Sequence, residues 1–159
     1  MNSSSIIALD PGPTQSAWLI WDGTRILQMA IDDNEQLLTK LRHEPSEHHL
    51  AIEMVASFGM AVGAEVFETV LWVGRFIEAW AVRGRSYEKV YRLRIKQHHC
   101  HDSRAKDTNI RAAIVDRFGG KERAIGRIKS KGPLYGVSSH LWSALAIALY
   151  AQDIRQPAA

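Results

Sequence analysis

Ser5-Ile6-Ile7-Ala8-Leu9-Asp10-Pro11-Gly12-Pro13 is the stretch that decides how the rest is read: an apolar run that ends in a carboxylate and breaks at once into a Pro-Gly turn. A run this apolar reads as a buried strand, and Pro-Gly reads as the turn that ends it. Asp10 is thereby anchored by the strand and open to solvent at its end. A second run, His49-Leu50-Ala51-Ile52, ends the same way in Glu53. Two carboxylates on two strand ends form the donor type that hard divalent cations prefer.

The segments around these strands define an α/β domain. Ser5–Leu9, Ser16–Trp21 and Arg25–Ile31 read as three strands, the last two joined by the hairpin dipeptide Asp22-Gly23. Asn34–Arg42 reads as a helix capped by Asp33 or Asn34, followed by strand His49–Glu53 and a Ser57-Phe58-Gly59 loop. Val62–Val82 reads as a long helix. Its expected apolar face joins Val62, Val66, Val70, Val73, Ile77 and Trp80, widened by Phe67, Leu71 and Phe76, opposite Glu65, Glu68, Trp72, Arg75 and Ala79. Such a helix belongs to the core or to a contact between subunits, and an exposed Trp72 would favour the latter. Lys89–Ile95 alternates as a half-buried strand with Arg92 and Arg94 on one face. Thr108–Phe118 reads as a helix capped by Asp107 or Thr108 and stopped by Gly119-Gly120, and Lys121–Pro133 reads as a mobile basic loop. A final helix is expected from Ser138 or Ser139 through Ala151. An antiparallel start followed by alternating strands and helices means a mixed sheet flanked by helices. We expect a single domain over residues 1–152 and a frayed tail over 153–159.

Composition narrows the function. The 159 residues suit one core, and 46% apolar residues exclude a disordered chain. The lone cysteine, Cys100, excludes an internal disulfide and fits a reducing cytoplasm, and no secretory leader is readable in Met1–Asp10. Val62–Val82 carries Glu65, Glu68, Arg75 and Glu78, so a membrane span is not expected there. The net charge of +3 conceals a division: residues 1–82 hold 4 Lys/Arg against 11 Asp/Glu, and residues 83–131 hold 15 against 5. Cations gathered in one central segment are the footprint of a polyphosphate partner. Arg92, Arg94, Lys96, Arg104 and Lys106 are the first candidates for phosphate contacts, and Lys121, Arg123, Arg127, Lys129 and Lys131 the next. Phe58, just past Glu53, is a candidate for stacking on an unpaired base or for packing on its own helix. His98-His99-Cys100-His101 lacks the second ligand cluster that structural zinc needs.

His140 and Ser143 stand three residues apart at the start of the last helix, with Ile147 continuing their face. A helix placed so can complete a carboxylate site, with His140 as metal ligand or as base, or can simply use His140 to bond a turn.

Taken together, Ile7-Ala8-Leu9-Asp10-Pro11-Gly12, Ala51-Ile52-Glu53 and Trp142-Ser143-Ala144-Leu145-Ala146-Ile147-Ala148-Leu149 resemble the RuvC family of Holliday junction resolvases, within the RNase H-like superfamily. Ala105–Arg111 and Gly132–Gly136 are similar to RuvC-like proteins carried by phages and mobile elements. The resemblance runs from about residue 6 to residue 150 and implies an RNase H-like (RuvC-type) fold. It also implies a metal-dependent endonuclease, using Mg²⁺ or Mn²⁺, that acts as a homodimer on four-way DNA junctions and leaves 5′-phosphate ends. On this resemblance Asp10, Glu53 and His140 match three of four metal-binding positions. The fourth, usually Asp, is Ser143, and Asp107 is the available substitute. The departure at Ser143 leaves open junction binding without cleavage, and other branched DNA or RNA–DNA hybrids are alternative substrates. The Asp10–Thr14 turn also resembles a phosphate motif of actin-like ATP-binding proteins, but that fold requires a second domain and a second glycine-rich loop.

Overall fold

The computed structural model describes residues 5–45 and 47–156. Residues 1–4 and, of the expected tail, residues 157–159 lie outside the described residues. Five strands form one mixed sheet in the order β3-β2-β1-β4-β5. They are β1 (Ile6–Asp10), β2 (Gln15–Trp21), β3 (Ile26–Asp33), β4 (His49–Met54) and β5 (Tyr87–Tyr91). The first three are antiparallel neighbours; β1, β4 and β5 run parallel. β1 is central and buried on both faces, which explains its unbroken apolar run.

The side-chain period of two assigns each strand residue to a layer. Ile7, Leu9, Leu50 and Ile52 face one side, where they pack with α1 (Asn34–His43) and α2 (Ala64–Ala81). Ile6, Ala8 and Ala51 face the other, beneath α6 (Leu141–Arg155), with α3 (Arg92–Cys100) and α4 (Asp107–Arg117) beside it. Asp10 and Glu53 continue this second set. Both carboxylates therefore emerge on the α6 side, at the carboxyl ends of neighbouring parallel strands.

Four expectations require correction. The strand expected at Lys89–Ile95 ends at Tyr91, and Arg92 begins α3. Its neighbour β4 ends at Met54, paired with Tyr91, so there is no ladder for later residues to join. Arg-Leu-Arg-Ile-Lys-Gln, with strong helix formers and no β-branched run, coils instead. Second, the face expected for α2 is misphased. Its buried residues are Val73, Phe76, Ala79 and Trp80, whereas Phe67 and Leu71 are exposed. Its apolar residues extend well beyond one face, so periodicity leaves the phase loose; contact with the sheet fixes it. Trp72 is half-buried and covered by the Arg75 guanidinium.

Third, Lys121–Pro133 is built structure. A short helix, α5 (Lys121–Ala124), leads into a two-stranded ribbon, β6 (Gly126–Arg127) and β7 (Ser130–Lys131). Both ends are fixed, because Leu134 N–H donates to the Ala124 carbonyl at 2.8 Å and both residues are fully buried. Gly126 makes the ribbon possible: a Cβ there would lie 2.1 Å from the Ser130 carbonyl oxygen. Fourth, α6 begins at Leu141 and runs to Arg155, past the expected start of the frayed tail. Asp153 holds that last turn, accepting from Arg117 at 2.6 Å and contacting His98 Nε2 at 2.7 Å. No helix among the described residues is long and apolar enough to cross a membrane.

Candidate functional site

Asp10 is fixed by the turn that follows it. Asn34 Nδ2 donates to the Gly12 carbonyl at 2.9 Å, Ser16 Oγ donates to Asn34 Oδ1 at 2.6 Å, and Gly12 N–H donates back to Ser16 Oγ. Ser16 and Asn34 are both 1% exposed, so this polar knot is internal. A side chain at position 12 would meet the Gln15 carbonyl oxygen at 2.4 Å, which restricts the turn to glycine. The expected cap of α1 is resolved as Asp33, whose side chain accepts from Glu35 N–H. Asn34 is thereby free for the turn.

Three groups converge on Asp10. Glu53 and Ser143 lie beside it, and His140 Nδ1 lies 3.2 Å from its Oδ2. His140 is at the N-cap of α6 and Ser143 in its first turn, so the positive end of the helix dipole faces the carboxylates. Ser139, just before, takes a left-handed backbone (φ 50°) that turns the chain into the helix. The Asp10 and Glu53 side chains are 15% and 17% exposed, whereas His140 is 73% exposed and stands at the open edge.

Burial pushes the Asp10 carboxyl up. Glu53 is pushed up to about 8, by burial first and then by the adjacent Asp10 charge. Without a cation between them, two close carboxyls cannot both ionise freely at neutral pH.

Arg92 is the one guanidinium in contact with this pair among the described residues. As the residue after β5, it lies beside the end of β4, with Nη1 3.7 Å from Glu53 Oε2. Its Nη2 is bonded to Asp107 Oδ1. Asp107 does not cap α4 as expected. Lys106 occupies the N-cap, its backbone N–H donating to Asn109 Oδ1 at 2.9 Å, and Asp107 turns to Arg92. The inward turn of Arg92 is the feature that sequence reasoning missed. Read as part of a strand it is one more phosphate-facing cation; at a helix start it enters the carboxylate cluster.

The other expected residues lie elsewhere. Arg94, Arg104, Lys106, Lys121, Arg123, Arg127, Lys129 and Lys131 are exposed, and Lys96 is half-buried. Not every cation of the basic segment is free. Arg85 is buried and donates to the carbonyls of Leu41, Glu44, Ala79 and Trp80, tying α1 to α2. Phe58 is 71% exposed rather than packed on its own helix. Of the histidine run, His98 meets Asp153 and His99 Nε2 meets the Ala146 carbonyl at 2.9 Å. Among the described residues no three His, Cys, Asp or Glu side chains converge closely enough to enclose a metal ion.

No protein-family model matches the chain, and no curated protein matches it in sequence. Solved structures do match in fold. RuvC from Thermus thermophilus superimposes with a TM-score of 0.65 at 18% identity, covering 95% of each chain. T. thermophilus RuvC in complex with Holliday junction substrate gives a TM-score of 0.69 at 19% identity, covering 96% of each chain. The α/β arrangement described here is thus the RuvC form of the RNase H-like fold, carried over nearly the whole length of the chain.

Proposed function

We propose that the protein is a metal-dependent, structure-selective DNA endonuclease that resolves four-way junctions as a homodimer in the cytoplasm. One observation carries this reading. Asp10 and Glu53 lie side by side, largely buried, at adjacent strand ends. Such a pair is unfavourable by itself and becomes favourable around a divalent cation.

The donor set fits Mg²⁺ or Mn²⁺ through two carboxylate oxygens. A full protein cage is not required, because a Mg²⁺ ion keeps several waters and takes its remaining contacts from substrate phosphate. Bound there, the cation supplies Lewis-acid stabilisation of the charge that builds on the phosphate. Hydrolysis joins the water oxygen to phosphorus and breaks the P–O3′ bond, leaving a 5′-phosphate and a 3′-hydroxyl. With Nδ1 engaged by Asp10, His140 Nε2 is the atom available to accept the proton from water. Asp10 orients the imidazole for that task.

The exposed cations Arg94, Arg104, Lys106, Lys121, Arg123, Arg127, Lys129 and Lys131, with the half-buried Lys96, hold DNA by its phosphates, and Phe58 stacks on an unpaired base near Glu53. The dimer reading rests on α2, whose first half leaves Phe67 and Leu71 67% and 58% exposed, beyond what an isolated surface residue explains. A second reading, junction binding without cleavage, is favoured by Ser143, which adds no charge to the cluster. Incubation with labelled four-way, fork, flap and RNA–DNA hybrid substrates in Mn²⁺ tests both. Paired nicks on the four-way junction are expected, with at least tenfold slower cutting of the others. Tight binding without nicks would establish the second reading, and equal cutting of all substrates would remove the junction specificity.

A further inference from the structure

We infer that Arg92 supplies the second positive charge of the centre, so that the chain takes one divalent cation rather than two. The inference rests on the reading that Asp10 and Glu53 hold that cation. A pair of divalent cations about 3.5–4 Å apart can clamp both oxygens of an in-line displacement, and each needs its own carboxylate oxygens. Here the first turn of α6 offers the uncharged Ser143 hydroxyl where a second cation would need charge. The third carboxylate nearby, Asp107, is bonded to Arg92.

Charge agrees. Asp10, Glu53 and Asp107 carry three negative charges when ionised. One guanidinium and one divalent cation balance them; a second divalent cation would leave the cluster doubly positive.

Arginine suits this place. Its planar fork can bond a carboxylate on one edge while offering N–H groups to a phosphoryl oxygen on another. Held by Asp107 and beside Glu53, the guanidinium is oriented before substrate arrives.

The test counts Mn²⁺ on the full chain, by electron paramagnetic resonance of the free ion and by titration calorimetry, alongside junction cleavage. Wild type is expected to bind one Mn²⁺ per chain. Arg92→Gln is expected to bind one Mn²⁺ about threefold or more tighter, because a like charge is gone, while cleaving roughly 100-fold more slowly at saturating Mn²⁺. Arg92→Lys, which keeps the charge and loses the fork, should fall between in both and serves if the Gln variant fails to fold. The double variant Arg92→Gln/Ser143→Asp should bind two. Two Mn²⁺ on wild type, or an Arg92→Gln protein with wild-type affinity and rate, would overturn the inference. No Mn²⁺ on wild type, or binding unaltered by Asp10→Asn, would instead overturn the underlying reading of the carboxylates.

Discussion

Residues 6–54 and residues 87–131 build the same centre by different means. The first region places its two carboxylates through strand register. β1 and β4 are parallel neighbours paired from Ile6–His49 to Leu9–Ile52, so the residues one step further, Asp10 and Glu53, must meet on one face. The second region places its charges through helix starts and a ribbon. Arg92 and Asp107 are the first residues of α3 and α4, and their meeting depends on how those two helices pack. Strand register is strict and leaves a trace in sequence; helix packing is strict too but leaves little. The carboxylate side is rigid and buried, whereas most cations of the basic segment are exposed and independent of one another.

That contrast can be broken first at Gly12. Gly12→Ala puts a Cβ against the Gln15 carbonyl oxygen, and the turn that fixes Asp10 must shift. We expect a loss of about 1–3 kcal/mol in urea unfolding, the scale of an overpacked core site. An equivalent change on the basic side, Lys129→Ala, should stay within about 0.5 kcal/mol. Comparable losses at both positions would erase the distinction.

Glu53→Gln sharpens it through pH. The folded-state carboxyl titrates at about 8 against an ordinary 4.5, so its protonated form favours the fold. That contribution is fully present below pH 4.5 and is lost as pH rises toward 8. In chelator, wild-type stability should therefore fall across this window, and Glu53→Gln should not. Near pH 7 the variant is expected to be more stable than wild type by about 1–3 kcal/mol, and near pH 4 to be equal, as urea melts at a series of pH values will show. Mg²⁺ should restore wild type at pH 8 and do little for the variant.

Sequence reading carried the carboxylates well because each ends an apolar strand, and strand ends are visible. It carried the helix starts poorly. Val90, Arg92 and Arg94 alternate formally with Tyr91, Leu93 and Ile95, and only the end of β4 at Met54 explains why pairing stops at Tyr91. In the same way, α2 is too apolar all round for its period to tell Val73 and Phe76, which are buried, from Phe67 and Leu71, which are not. The ribbon Gly126–Lys131 does leave a signal in the sequence: Gly126 and Gly132 bracket it, and buried Ala124 and Leu134 lie just beyond. Charge counting treats Arg85, Arg92 and Arg117 as surface cations, whereas each is committed to a partner inside the protein.

The exposed half of α2 is a third place to separate the two regions. Phe67→Asp with Leu71→Asp should convert a dimer to monomers in sedimentation velocity while the unfolding midpoint of the monomer stays unchanged. A smaller effect is expected for single cations of the basic segment. Lys129→Ala should weaken junction binding a few-fold and make the slope of log affinity against log salt shallower by about 0.9, the contribution of one phosphate contact. An unchanged slope would take Lys129 out of the DNA surface.

The most direct test of the central claim, that Asp10 and Glu53 form a cutting centre, is cleavage of an end-labelled synthetic four-way junction in Mn²⁺ by wild type and Asp10→Asn side by side. The account predicts paired nicks with 5′-phosphate ends from wild type, a rate lower by roughly 10²–10³-fold or more in the variant, and junction binding retained by both. Nicking by Asp10→Asn at the wild-type rate would contradict it.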